Sequence, residues 1–141
     1  MFLLDTNVVS ETRRIAKGQG SEPVKQWFAQ QSSSQLFVSV ITLLEIERGI
    51  LSLQRRDPMQ ASHLRDWFES KLKPQFQHRI LDVNEPTAIA CAALHIPDPR
   101  PEMDALIAAT AQVHRFTLVT RNTRDFEVMG VRCVNPWEIE A

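Results

Sequence analysis

Asp5, Glu45, Asp104 and Asp125 are four acids scattered along a chain of 141 residues, each placed where an apolar strand ends or a helix starts. Taken singly, each has an ordinary use as a cap or a turn residue. Taken together they describe carboxylates carried by distant segments into one pocket. Three or four negative charges do not share a pocket unaided: two of them ~4 Å apart repel by roughly 4 kcal/mol at an effective dielectric of ~20. A bound Mg²⁺ or Mn²⁺ reverses that sign, so divalent-cation binding is the simplest chemistry for the set.

Each acid also has a competing local use. Asp5 and Asn7 both suit an Asx-turn after the first strand. Asp5 nevertheless lands beyond a strand's carboxyl end, where ligands of open α/β sheets bind. Thr42-Leu43-Leu44-Glu45 fits a capping box, in which Glu45 reaches back to the amide of Thr42. Asp104 sits in a helix's first turn, where negative charge suits the macrodipole, and Asp98 and Glu102 lie near enough to join a metal site. Asp125 closes the polar turn Thr120-Arg121-Asn122-Thr123-Arg124, as either a cap or a ligand.

The elements that would position these acids alternate. Strands are predicted at 2–4, 36–41, 79–83, 116–120 and 131–134. Helices are predicted from Val8 to Lys17, from Pro23 to Gln31, from Thr42, after Asp57-Pro58 to a stop before Pro74, after Glu85-Pro86, and from Glu102 to His114. Short apolar strands separated by helices imply a parallel sheet covered on both faces, an α/β fold in one domain spanning 1–141. The small-residue run Ala105, Ala108, Ala109 and Ala111 implies a helix seated tightly on that sheet. Exposed apolar helix faces within 8–28 would suit an interface.

Composition narrows the classes further. An apolar content of 43% with 23% charged residues is that of a water-soluble globular protein. No run approaches the ~20 apolar residues of a membrane span. The N-terminus, with Asp5 inside its apolar stretch, is read as a strand and not a signal peptide, and with two cysteines expected as free thiols a cytoplasmic address is expected. Cys91 and Cys133 are expected to be buried free thiols, and His63, His78, His95 and His114 show no zinc spacing. With a net charge of −1, bulk electrostatics would not hold a polyanion. Metals and local arginines would have to do so. Arg13, Arg14, Arg48, Arg55, Arg56, Arg100, Arg121 and Arg124 are available, and of these Arg13, Arg14, Arg48 and Arg121 are candidates for a phosphate backbone that sequence does not separate.

Four segments, Leu3-Leu4-Asp5-Thr6-Asn7, Thr42–Gly49, Asp104–Ala111 and Thr120–Phe126, with the closing Val134-Asn135-Pro136-Trp137, carry a resemblance. In this order they resemble the PIN-domain family of metal-dependent ribonucleases, and within it the VapC/FitB-like toxins of type II toxin–antitoxin pairs. The resemblance implies a three-layer PIN-like fold with a metal cleft at the strand ends. It implies Asp5, Glu45, Asp104 and Asp125 as catalytic acids and metal ligands for Mg²⁺ or Mn²⁺, with Thr120 and Asn122 as polar residues beside the last acid. It also implies an RNA substrate, a homodimer, and a cognate VapB-like antitoxin whose C-terminal segment lies over the cleft. The Pro-rich approach Ile96–Pro101 departs from the family pattern and bears on the cleft rim.

The implied activity is hydrolysis of RNA phosphodiester bonds, leaving a 5′-phosphate and a 3′-hydroxyl. The alternative is a PIN-like module that binds RNA or an antitoxin without cutting. A haloacid-dehalogenase-like phosphatase would need a second Asp where Asn7 stands. A dinucleotide-binding enzyme fails because Gly18-Gln19-Gly20 follows no strand, and no P-loop is present.

Overall fold

The computed structural model describes residues 1–139. Its elements are β1 (Phe2–Leu4), α1 (Thr6–Ala16), α2 (Glu22–Ala29), β2 (Leu36–Ser39), α3 (Val40–Gln54), α4 (Pro58–Trp67), α5 (Lys73–Gln75), β3 (Ile80–Leu81), α6 (Glu85–Leu94), α7 (Glu102–His114), β4 (Thr117–Val119), α8 (Thr123–Glu127) and β5 (Cys133–Val134). The five strands form one sheet in the order β3-β2-β1-β4-β5, and every neighbouring pair is parallel. All their carboxyl ends therefore meet along one edge. Successive elements step from β1 to β2 on one side, whereas β4 joins β1 on the other, so the strand order reverses between β1 and β4. A crevice opens at such a switch point.

Alternation along the strands explains the two apolar layers. Leu3 and Leu118 enter one cluster with Ile107, Ala108, Ala111 and Phe126. Leu4 and Val119, one residue further on, enter the other with Val8, Val9, Trp27 and Phe68. Leu3, Leu4, Leu118 and Val119 are all fully buried, as central strands covered by helices on both faces require. On α7, Ala105, Ala108, Ala109 and Ala111 are fully buried, and their small side chains let the helix lie close on the sheet.

Several boundaries differ from the sequence-based expectation. β2 ends at Ser39, whose hydroxyl caps α3 by accepting from the Ile41 amide, so Thr42 is not the cap and no capping box forms with Glu45. The local pattern was satisfied one turn earlier by a residue just as suited to capping. Pro74 does not stop the α4 segment. At Phe68–Leu72 the backbone widens into a π-turn, with the Lys73 amide bonded to the Phe68 carbonyl, and Pro74 then enters α5 where it needs no N–H. Burial of Phe68 and Leu72 on the same face holds this turn in place. The segment expected as a polar turn contains the short helix α8. Val8, Val9, Val24 and Trp27 are buried inside the fold, whereas Ile15 and Phe28 are half-buried and Ala16 is exposed, so only part of the apolar surface expected within 8–28 stays at the surface. The large exposed apolar side chains lie elsewhere, at Leu44, Leu51, Met59, Ile89 and Ile96 among others.

Candidate metal centre

β1 is a short run of Phe-Leu-Leu, and the first residue beyond it is Asp5. Asp5 caps α1: its Oδ1 accepts the Thr6 amide at 2.8 Å. Its Oδ2 accepts the Thr120 hydroxyl at 2.8 Å, and Thr120 is the first residue beyond β4. One carboxylate thus bridges the two strands flanking the switch point. Thr120 Oγ1 in turn accepts the Asn122 amide at 3.0 Å, and Asn7 Oδ1 accepts the Arg121 amide at 3.4 Å. Thr120 and Asn7 so pin the turn after β4 to the start of α1, while the Asn122 side chain makes no capping bond.

Glu45 comes from the second turn of α3. Its Oε1 accepts the Thr6 hydroxyl at 2.7 Å, and Thr6 Oγ1 lies 3.0 Å from the Thr42 hydroxyl. Because the Thr6 proton is spent on Glu45, Thr42 must donate to Thr6, giving a relay from Thr42 through Thr6 to Glu45. Thr6 and Thr42 were missed as site residues in the sequence reading. Thr6 stands directly after Asp5, and that adjacency was the available signal. Asp104 is the third residue of α7 and Asp125 the third of α8, both in first turns.

The four acids act on one another electrostatically. Burial pushes the Asp5 carboxyl up to about 6, opposed by the Thr120 and Thr6 hydrogen bonds and reinforced by Asp104 and then Glu45. Burial also raises Asp104, with further upward contributions from Glu45 and Asp125. Asp5 is only 5% exposed and Asp125 lies at the exposed rim. The acids are more widely spread than a closed ligand cage: no three of them bring oxygens within 4.8 Å of one another.

Their donor set is all oxygen, which suits a hard cation that keeps several waters and takes only part of its coordination from protein. Asp5, Glu45, Asp104 and Asp125 fit Mg²⁺ or Mn²⁺ on that ground, since the repulsion that raises Asp5 and Asp104 is what a cation would relieve.

Glu102 is engaged by other partners. Glu102 Oε2 lies 3.2 Å from His95 Nε2, and Cys91 Sγ is 3.8 Å from the same carboxylate. The Cys91, His95 and Glu102 grouping escaped the sequence reading, which treated the histidines and cysteines as having no ligand spacing. The Arg100 amide donates to His95 Nδ1 at 3.0 Å, so the ring's own proton sits on Nε2 and faces Glu102. With Nε2 protonated, the group works as a clasp between α6 and α7. Cys91 and Cys133 are free, as expected, with Cys133 only half-buried.

A parallel sheet with an acid bridging its switch point and three more acids on neighbouring elements defines an α/β class with a carboxylate cluster at the carboxyl ends of its strands. The PIN domain family model matches residues 2–131, and the chain belongs to the PIN-domain family. It is 34% identical to the toxin FitB of Neisseria gonorrhoeae, across 97% of this chain and 99% of that one. It is 31% identical to the VapC ribonuclease Y4jK of Sinorhizobium fredii, across 98% of this chain and 99% of that one. Among solved structures it is similar to FitAcB from Neisseria gonorrhoeae, with a TM-score of 0.87, 33% identity and coverage of 99% of this chain and 100% of the other. It is also similar to a toxin–antitoxin complex from Klebsiella pneumoniae, with a TM-score of 0.63, 26% identity and coverage of 99% and 100%.

Proposed function

We propose that the chain is an endoribonuclease, the toxin of a type II toxin–antitoxin pair, and that Asp5, Glu45, Asp104 and Asp125 hold the Mg²⁺ or Mn²⁺ its chemistry requires. The observation that carries this reading is Asp5, buried at the switch point, tied to Thr120 and raised to about 6 with Asp104 and Glu45 beside it. A divalent cation there supplies a hydroxide nucleophile near neutral pH and charge stabilisation at the scissile phosphate.

The chain's own residues prepare that chemistry. Thr120 and the Thr6 amide fix both oxygens of Asp5, and Thr6 fixes one oxygen of Glu45, so neither carboxylate must reorganise as charge builds up. Asp104 approaches from the α7 side, and Asp125 stands at the rim where substrate enters. Thr6, Glu45, Leu64 and Trp67 line a cavity of about 340 Å³. Beyond Trp67 it adjoins an apolar groove of about 470 Å³ that includes Ile15, Phe28 and Phe76. The cleft and its adjoining apolar wall together suit a cognate antitoxin segment that covers the acids.

Purified chain incubated with structured RNA should cleave it in Mg²⁺ or Mn²⁺ and not in EDTA, and Asp5→Asn or Asp104→Asn should abolish the cutting. Metal-dependent cleavage that survives both substitutions would sink the assignment. RNA binding without turnover in any metal would favour the non-catalytic module instead.

A further inference from the structure

We propose that Arg13 and Arg100 are the residues that grip RNA phosphates on the two flanks of the carboxylate cluster, an inference that rests on the nuclease reading above. Two cavities border the acids. One, of about 340 Å³, is walled by Thr6, Ser10, Arg13, Glu45, Gly49 and Trp67. The other, also about 340 Å³, is walled by Arg100, Asp104, Arg124, Asp125 and Met129. Each contains a cluster acid and an arginine whose Nε is enclosed and has no hydrogen-bond partner among the described residues.

Those two arginines differ from the others in what they already hold. Arg14 lies 3.7 Å from Glu11, Arg65 is paired with Glu47, and Arg79 donates to three backbone carbonyls. The guanidinium of Arg121 stands 5.0 Å from the Trp137 ring. Arg48, Arg55, Arg56, Arg115, Arg124 and Arg132 are exposed. Arg13 and Arg100 are half-buried, and neither is among the ion pairs of the described residues, although each shares a cavity wall with a carboxylate.

The enclosed Nε faces no acceptor and lies out of a ligand's reach, so it is the two terminal nitrogens at the half-buried cavity wall that would meet a ligand from each guanidinium. Its planar fork matches a phosphate, which offers several oxygens at once. Both arginines are also held in place. Arg13 lies on the face of α1 that carries Thr6 and Ser10, at spacings of seven and three residues. The backbone of Arg100 is fixed by the hydrogen bond its amide donates to His95 Nδ1, and the other ring nitrogen meets Glu102. The His95 clasp therefore has a purpose for the cleft: it sets Arg100 on the rim beside Asp104. A net charge of −1 makes such local cations necessary, because four acids at the centre repel the phosphates that must pass them.

The test measures kcat and KM on single-stranded RNA in Mg²⁺ over a series of KCl concentrations. Arg13→Ala, Arg13→Lys, Arg100→Ala and Arg100→Lys are compared with the unsubstituted chain and with Arg55→Ala on the exposed end of α3. Each alanine variant should raise KM by about 10-fold or more while kcat stays within about threefold. Each should also flatten the slope of log(kcat/KM) against log[KCl] by about 0.7, the contribution of one phosphate contact to a single strand. The lysine variants should keep the slope and recover part of KM, and Arg13→Gln and Arg100→Gln, which keep the stem and remove the charge, carry the test if an alanine variant fails to fold. Cleavage by Arg13→Ala and Arg100→Ala indistinguishable from that by Arg55→Ala overturns the inference and leaves the nuclease reading standing. An unsubstituted chain that cuts no RNA overturns both.

Discussion

Asp5 carries opposing demands: as a helix cap and hydrogen-bond acceptor it should ionise easily, yet burial and its neighbours hold its carboxyl near 6. Its folded-state value thus lies above the ordinary 3.8, so the unfolded chain ionises first as pH rises. Below about pH 4 both states are protonated and the folded state bears no penalty. Between about 4 and 6 stability is lost, reaching about 3 kcal/mol at most for a shift of this size. Urea unfolding in EDTA at pH 4 and pH 7.5 checks this. Asp5→Asn should match the unsubstituted chain at the lower pH and exceed it at the higher one, while losing activity. A matching deficit at both pH values would mean that the Asp5 hydrogen bonds outweigh its charge. Thr6→Val tests the relay to Glu45. It should lower kcat at least 10-fold, with Thr6→Ser restoring most of it, because serine keeps the hydroxyl at the same place. A Thr6→Val enzyme with full kcat would remove Thr6 from the site.

At the scale of the elements, α7 and α3 determine where acids stand. Asp104 is held by a helix whose buried face is mostly alanine, so the distance from helix to sheet is set by methyl groups. Ala108→Leu should cost about 1–3 kcal/mol by overpacking, and it should lower activity beyond the loss of folded protein by moving Asp104. Denaturant melts paired with activity per folded molecule separate the two effects. For α3 the cap is Ser39 and not Thr42, and Ser39→Ala should cost about 1 kcal/mol. Stability alone would not distinguish cap from relay, but Thr42→Val should lower kcat, through Thr6 and Glu45, whereas Ser39→Ala should leave kcat per folded molecule unchanged.

For the whole molecule, the cluster is a mutual repulsion that the proposed cation would relieve. Mg²⁺ should raise the thermal midpoint in proportion to the logarithm of its concentration above Kd, and EDTA should reverse the gain. In Asp5→Asn and Asp104→Asn the gain should shrink or vanish, as differential scanning calorimetry would register. Much of this arrangement was legible in the chain itself: Asp5 follows a strand, Asp104 and Asp125 stand in the first turns of their helices, and the 102–114 helix fell where the sequence pattern put it, while Glu45 lies a turn further into α3 than expected. That is so because strand and helix periodicity, Pro and Gly punctuation and capping chemistry are local, and the sequence records them directly. The partners of those acids were not legible. Thr120 reaches Asp5 across 115 residues, Thr6 reaches Glu45 across 39, and Glu102 turns away from the cleft to meet His95. Which carboxylate is buried, which hydroxyl orients it and which arginine is left with donors to spare depend on the order β3-β2-β1-β4-β5, which brings distant strand ends side by side. The sequence by itself determined which groups could do the chemistry; the tertiary structure alone decided which of them meet.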